Sequence, residues 1–203
     1  MSKSGQVNMR FKMGQKKFIQ IKENYDFYNI LLSERKSIYT GIIEINKIGN
    51  NHNTLESIEE VKHPTANKDN MVLLVDVKAN NHEFFQFKLR YKSFVPTPFF
   101  RFDSDGETHR NRDDGVDLKD QAVTTPHFHK FNENGIEVAY KTDKLLDPKE
   151  SKALEDINLC IIHFFHESNT RLNDDDFPEI KIQSDTLGFK MTKEDPNQNI
   201  NFL

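Results

Sequence analysis

Apolar and polar residues alternate most strictly in "EFFQFKLRY" (83–91), where Phe85, Phe87 and Leu89 take one side of an extended chain and Gln86, Lys88 and Arg90 the other. The stretch "MVLLVDVKA" (71–79) precedes it across "NNH", and the pair predicts a β-hairpin. Pro96 and Pro98 then interrupt pairing before "FFRFD" restarts an extended segment. A second hairpin is predicted from "TPHFHKF", the turn "NENG" with Gly135, and "IEVAYKT". Upstream, "SIYTGIIEINKI" (37–48) alternates as a strand would, and residues 25–32 fit an early helix. Residues 50–70, "NNHNTLESIEEVKHPTANKDN", are polar and carry Asn, His and Pro, which reads as a loop. From Asp147 the period changes. In "DPKESKALEDINLCIIHFFHES" an Asp cap, Pro148 in the first turn, early acids and a continuous apolar face predict one helix laid against the sheet. The expected fold is α+β, an antiparallel β-sheet packed against a C-terminal α-helix.

Composition narrows the class. With 203 residues the chain fits one domain over 16–203, preceded by a basic arm over 1–15 that is expected to be mobile. It is polar, with 30% charged residues and a mean hydropathy of −0.74, yet seventeen Phe and no Trp provide for a core of Phe, Ile and Leu. The single Cys160 sits in an apolar run and excludes both a disulfide framework and a cysteine-based zinc site. No apolar run reaches the roughly 18–20 residues that span a bilayer. The N-terminal segment has no secretory core either, so a soluble, cytoplasmic protein is expected. The net charge of −4 is uneven: residues 1–22 hold six basic side chains and no acid, whereas "NDDDFPE" and "TKEDPNQN" make the C-terminal region acidic. A basic arm could touch phosphates, although a solvated terminus explains it as well.

The chemistry concentrates in residues 99–129. In "HFH", His127 and His129 fall on the same side of a strand while Phe128 enters the other, and Arg101 and Asp103 in "FFRFDS" are related in the same way. If the two strands are neighbours, these four side chains share one surface, and His109 in the joining loop can fold over it. Three readings compete. In the first, one neutral His takes a proton from a ribose 2′-hydroxyl, a second gives one to the leaving oxygen, and Arg101 stabilises charge on phosphate. That chemistry needs no metal and no cofactor, and its substrate is RNA. In the second, His127 and His129 hold a metal with His109 or an Asp, on an HxH signal that many strands would match. In the third, the histidines and Arg101 only pair with the surplus aspartates and fix a long loop.

Other candidates carry less. His163 and His166 in "IIHFFH" read as residues at the edge of a packed helix. "NDDD" and "DSDGE" lack the spaced ligands of a calcium loop. The phenylalanines of "EFFQFKLRY", interleaved with Lys88 and Arg90, have the look of a nucleic-acid stacking surface, but alternation assigns them to the core.

The pieces "RFDSDGETHRN", "TPHFHKFNENGIEVAY" and, more loosely, "ALEDINLCIIHFFHESNTR" resemble a family of small, functionally uncharacterised bacterial and prophage-associated proteins with an RxD…HxN…PHxH pattern. The arginine and aspartate strand followed by paired histidines is also similar to the toxin of a bacterial toxin–antitoxin pair, whose α+β members are associated with ribonuclease activity. The likeness covers about residues 71–180. The first family implies that the polar set is one unit. The toxin likeness implies roles for Arg101, His127 and His129 in RNA cleavage. The leading expectation is therefore a metal-independent endoribonuclease or related phosphodiesterase of the toxin or phage-conflict type, with His127 and His129 as acid and base, Arg101 as phosphate clamp, and Asp103 or His109 orienting them. The alternative is a non-catalytic binding or inhibitor protein, such as a phage-encoded anti-defence factor or nucleotide-binding module. Expected partners are accordingly RNA or a nucleotide phosphate, or a protein such as an antitoxin or host defence factor, and no membrane. The acidic balance favours the alternative, since RNA-binding proteins present wider positive surfaces.

Overall fold

The alternation read in 83–91 is realised in the computed structural model as part of the longest strand of a seven-stranded sheet. Residues 16–49, 53–66, 71–112, 116–117, 119–173 and 176–184 are described. The N-terminal arm over 1–15 and the acidic end beyond residue 184 lie outside them. The chain order is α1 (Ile19–Glu23), α2 (Tyr25–Ser33), β1 (Lys36–Ile38), β2 (Ile42–Ile45), β3 (Lys47–Ile48), β4 (Thr54–Glu60), β5 (Met71–Lys78), β6 (Asn81–Tyr91), β7 (Phe100–Asp103), β8 (His109–Arg110), β9 (Ala122–Val123), β10 (His127–Phe131), β11 (Glu137–Tyr140), α3 (Asp143–Leu146), α4 (Pro148–Ala153), α5 (Ile157–Glu167), β12 (Thr170–Leu172) and β13 (Glu179–Ile182).

The large sheet runs β11-β10-β7-β6-β5-β4-β3, and every neighbouring pair is antiparallel. Phe85, Phe87, Leu89, Phe100, Phe102 and Phe128 leave one side of it and are all buried. Helix α5 covers that side: the Phe164 ring lies 5.3 Å from Phe87, 5.5 Å from Phe100 and 6.3 Å from Phe128. The opposite side takes the polar side chains that alternation sends there, Gln86, Lys88, Arg101, Asp103, His127 and His129, and residues 105–109 lie over the last three, which are buried. The fold is α+β, as the pattern of elements predicts.

Several local expectations are corrected. The stretch 50–70 is not all loop, because residues 54–60 form β4 and pair with β5 along their whole length. The strand expected over 37–48 is split into β1, β2 and β3 around Thr40, Gly41 and Asn46. The late helix is also split. Asp147 caps α4 as expected, accepting from the backbone N–H groups of Lys149 and Glu150. The chain then leaves the helix at Leu154, and Asp156 starts α5 by accepting from Asn158 and Leu159.

Two parallel pairs were not foreseen. β12 pairs with β1 and β13 with β2, bringing the last described strands onto the first. Between α2 and β1, the fully buried Lys36 donates from Nζ to the carbonyls of Leu31 at 2.6 Å, Leu32 at 3.0 Å and Glu34 at 2.8 Å. Burial draws its pKa down to about 7, while Glu34 opposes the shift. Three carbonyls need all three ammonium hydrogens, so the bonding pattern is that of the charged form, closing the end of α2 where the helix dipole is negative.

His163, on the sheet side of α5, is buried with Nε2 2.9 Å from Thr142 Oγ1. Burial, helped by the Lys144 and His166 charges, pushes its pKa from 6.5 down to about 4. The folded state thus binds fewer protons than the unfolded one between these values. This contribution to stability is complete above pH 6.5 and is lost as pH falls through 4. The thermal midpoint is expected to fall across that window, and less steeply in His163→Gln; an unchanged slope in the variant would count against the assignment.

Candidate functional site

β7 and β10 lie side by side with His127 opposite Asp103, Phe128 opposite Phe102 and His129 opposite Arg101. This register, together with the two-residue period of a strand, gathers all four polar side chains on the open side. Asp103 is the centre of the cluster. Its Oδ2 is 3.0 Å from His129 Nε2, 3.8 Å from His127 Nε2 and 3.3 Å from Arg101 Nε. Its Oδ1 accepts a 2.9 Å hydrogen bond from Gln86 on β6, which fixes the plane of the carboxylate. From β11, Glu137 brings Oε1 to 3.5 Å from Arg101 Nη2 and 3.6 Å from His129 Nδ1.

His129 Nε2 stands between a donor and an acceptor, 3.0 Å from both Arg101 Nη2 and Asp103 Oδ2. With a proton it donates to the carboxylate; without one it accepts from the guanidinium. A single proton at this nitrogen thus selects between two sets of contacts. Burial alone would raise the Asp103 pKa, but the hydrogen bond from His129 and the charges of Arg101, His129 and His127 more than offset it and hold the carboxyl below its usual value. His127 is shifted downward too, which for an imidazole favours the neutral form. Burial first, then the His129 charge, lower its pKa to about 4, against the opposing influence of the Thr124 backbone and Asp103. The Thr124 contact falls short of a full hydrogen bond, since the buried His127 Nδ1 has no partner within bonding geometry, and neither has His129 Nδ1.

His109 reaches the cluster from the joining loop. β8 pairs with β9, and Asn111 just beyond it donates to Ala139 O at 2.9 Å and accepts from Ala139 N at 2.8 Å, pinning the loop to β11. The His109 ring then lies edge-on to His129 at 4.9 Å and 6.4 Å from His127, half exposed. Its pKa is lowered by burial and by His129. Asn111→Ala is expected to cost about 1–2 kcal/mol of stability, as two hydrogen bonds are lost. It should also return the His109 titration toward 6.5, read from its ring resonances; an unmoved titration would show that the loop is held by other contacts.

A cleft of about 500 Å³ opens between loop 105–108 and the sheet, with His109, His127 and His129 in its wall. Asp103, His127 and His129 offer one ligand atom each, all within 4.8 Å of one another, a donor set that could hold a divalent transition metal. The Arg101 guanidinium lies against the same atoms.

All five residues singled out from the sequence, Arg101, Asp103, His109, His127 and His129, meet at this cluster. His163 does not: its ring meets Phe128 on the covered side of the sheet, 5.4 Å away. In "DSDGE", Asp105 Oδ1 accepts from the Gly106 N–H within a tight local turn. In "NDDD", residues 174 and 175 lie outside the described residues. Sequence reasoning missed Gln86 and Glu137 as members, and Asn111 entered it only as the last residue of the HxN pattern, with no role assigned. Alternation already put Gln86 on the polar side, but the partner strand that brings it to Asp103 is visible only in the fold. The class defined by fold and site is an α+β protein with a recessed His, Arg and Asp cluster on the open face of an antiparallel sheet. Comparison with protein families, curated proteins and solved structures finds no match to this chain.

Proposed function

We propose that the cluster cleaves RNA by metal-independent acid–base catalysis, as an endoribonuclease or related phosphodiesterase of the toxin or phage-conflict type. The observation that carries the reading is the position of Arg101, 3.0 Å from His129, 3.3 Å from Asp103 and 3.5 Å from Glu137. The chain thereby supplies its own fixed cation at the mouth of the histidine pair, where charge builds on a phosphate in the transition state. His127, neutral at pH 7, takes the proton of a ribose 2′-hydroxyl as that oxygen attacks phosphorus. His129, held by the ionised Asp103, gives its proton to the departing 5′-oxygen. The phosphorus–oxygen bond to the leaving nucleoside breaks, leaving a 2′,3′-cyclic phosphate and a 5′-hydroxyl.

One specific observation favours a second reading: the convergence of Asp103, His127 and His129 would suit a metal-dependent hydrolase. The excess of 32 acidic over 28 basic side chains favours instead a non-catalytic binding or inhibitor protein. Incubation of labelled cellular RNA with purified protein in EDTA separates all three. Cleavage that survives the chelator, ends in cyclic phosphate and is absent in the His127→Ala, His129→Ala double variant is the expected result. Cleavage only without chelator would move the site to the metal reading, and no cleavage in either condition would abandon catalysis for binding.

A further inference from the structure

The open face of the sheet carries a second cleft beside the first. It has a volume of about 430 Å³, runs over β4, β5 and β6, and shares Lys78, Phe84 and Gln86 with the cleft over the histidines. The two form one groove. Phe84 is its aromatic element. Phe85 and Phe87 are fully buried beneath the sheet, as alternation requires, but Phe84 leaves β6 on the open side, in line with Gln86, Lys88 and Arg90, and stays partly exposed. Core packing therefore does not account for it. Lys78 Nζ lies 3.8 Å from its ring centroid. Further along, Lys88 is engaged by Asp76. Arg90 is less committed: its Nε is buried without a hydrogen-bond partner, and its Nη2 makes only a 3.4 Å contact with Pro96 O.

The groove offers a nucleic-acid strand one aromatic ring, with Lys78 over its face where an incoming base would displace it toward a phosphate, and Arg90 beyond; Glu56, Asp105 and Glu107 line the groove as well and confine the phosphate contacts to these two cations. The depth of the histidines selects the form of that strand. His127 and His129 are only 1% and 3% exposed, at the floor of the cleft. A stiff A-form duplex presents its phosphates and 2′-hydroxyls on broad, shallow surfaces and cannot bring one phosphate down to them, whereas a single strand can splay its bases and enter.

We infer that the groove binds single-stranded RNA running on from the scissile phosphate, with one base stacked on Phe84 and adjoining phosphates against Lys78 and Arg90. This rests on the phosphodiester reading for the identity of the substrate, but not for its test. Fluorescence anisotropy of a labelled RNA strand of about ten nucleotides is measured with the His129→Ala protein, so that turnover does not intervene. The same strand annealed to its complement is the control.

The expected results are binding of the single strand about tenfold tighter than the duplex, and a loss of about tenfold or more with Phe84→Ala, as for removal of one stacking platform. Phe84→Trp should keep the affinity. Lys78→Ala and Arg90→Ala should each weaken binding and reduce the salt slope by about one phosphate contact. Phe84 is partly exposed, so its truncation leaves the core untouched, and an unchanged thermal midpoint checks this. Equal binding of duplex, or an affinity indifferent to Phe84, Lys78 and Arg90, overturns the inference even if the wild type cleaves RNA. Binding through these residues without cleavage by wild type sustains the groove and removes the catalytic reading.

Discussion

Under the mechanism proposed above, replacing His129 with alanine is expected to slow RNA cleavage by about 10²–10⁴-fold, the range over which a positioned acid or base contributes. The loss is twofold in origin. The proton donor to the leaving oxygen disappears, and Arg101 and Asp103 lose the nitrogen that stands 3.0 Å from each. Arg101→Lys isolates the second effect. An ammonium can replace one of the three contacts that the guanidinium makes with His129, Asp103 and Glu137, but it has no planar fork to keep them together. A fall of about 10²-fold is expected, with the fold intact, as for the loss of one preorganised donor. Single-turnover cleavage in EDTA reads both variants. A His129→Ala protein that cleaves at the wild-type rate would remove His129 from the reaction. Full activity in Arg101→Lys would reduce the guanidinium to a point charge.

The largest stability effect is expected at Phe164. Truncation to alanine should cost about 3–5 kcal/mol, the usual range for a large aromatic removed from a closed core. The ring is fully buried and touches aromatic rings from β6, β7 and β10, so it bonds α5 to the three strands that carry Gln86, Arg101, Asp103 and both strand histidines on their other side. Phe164→Leu refills much of the volume and should recover most of the loss. Chemical denaturation checks this, and a cost below about 1 kcal/mol for alanine would mean that α5 can collapse into the space.

The parts of the fold legible in the sequence were those where one strand face is buried and the other wet. The two hairpins, β5 with β6 and β10 with β11, follow from alternation and Gly135. That glycine holds φ +69, and a Cβ there would meet the Phe18 carbonyl oxygen at 2.3 Å. β4 was hidden because "TLESIEE" carries three glutamates and buries only Ser57, so its composition is that of a loop although its backbone is paired throughout. The break before α5 had a local signal, Asp156, whose carboxylate accepts from the N–H groups of Asn158 and Leu159 two and three residues on, but the apolar face on either side masked it.

At the site, the pairing of Arg101 and Asp103 with His129 and His127 follows from strand period alone, given that the strands are neighbours. Gln86 and Glu137 join through register, which no local pattern encodes, and the HxN pattern that holds Asn111 does not tell that it binds the backbone of Ala139. The buried Lys36 is the same kind of residue: nothing beside it in sequence tells that three carbonyls await it.

The pairing of β12 with β1 and of β13 with β2 also bears on how the chain is made. During synthesis the first two strands emerge long before their partners, and more than a hundred residues, on the count from Ile45 to Thr170, must follow before either edge is covered. The seven-stranded sheet can assemble in the meantime from neighbours in sequence. β1 meets a nearby segment through the Ser37–Lys62 bridge, but the edges that β12 and β13 cover wait as open hydrogen-bonding edges of the kind that invites contact between nascent chains. Closure of this molecule is therefore a late event, reserved for the moment when the segment after α5 has left the ribosome.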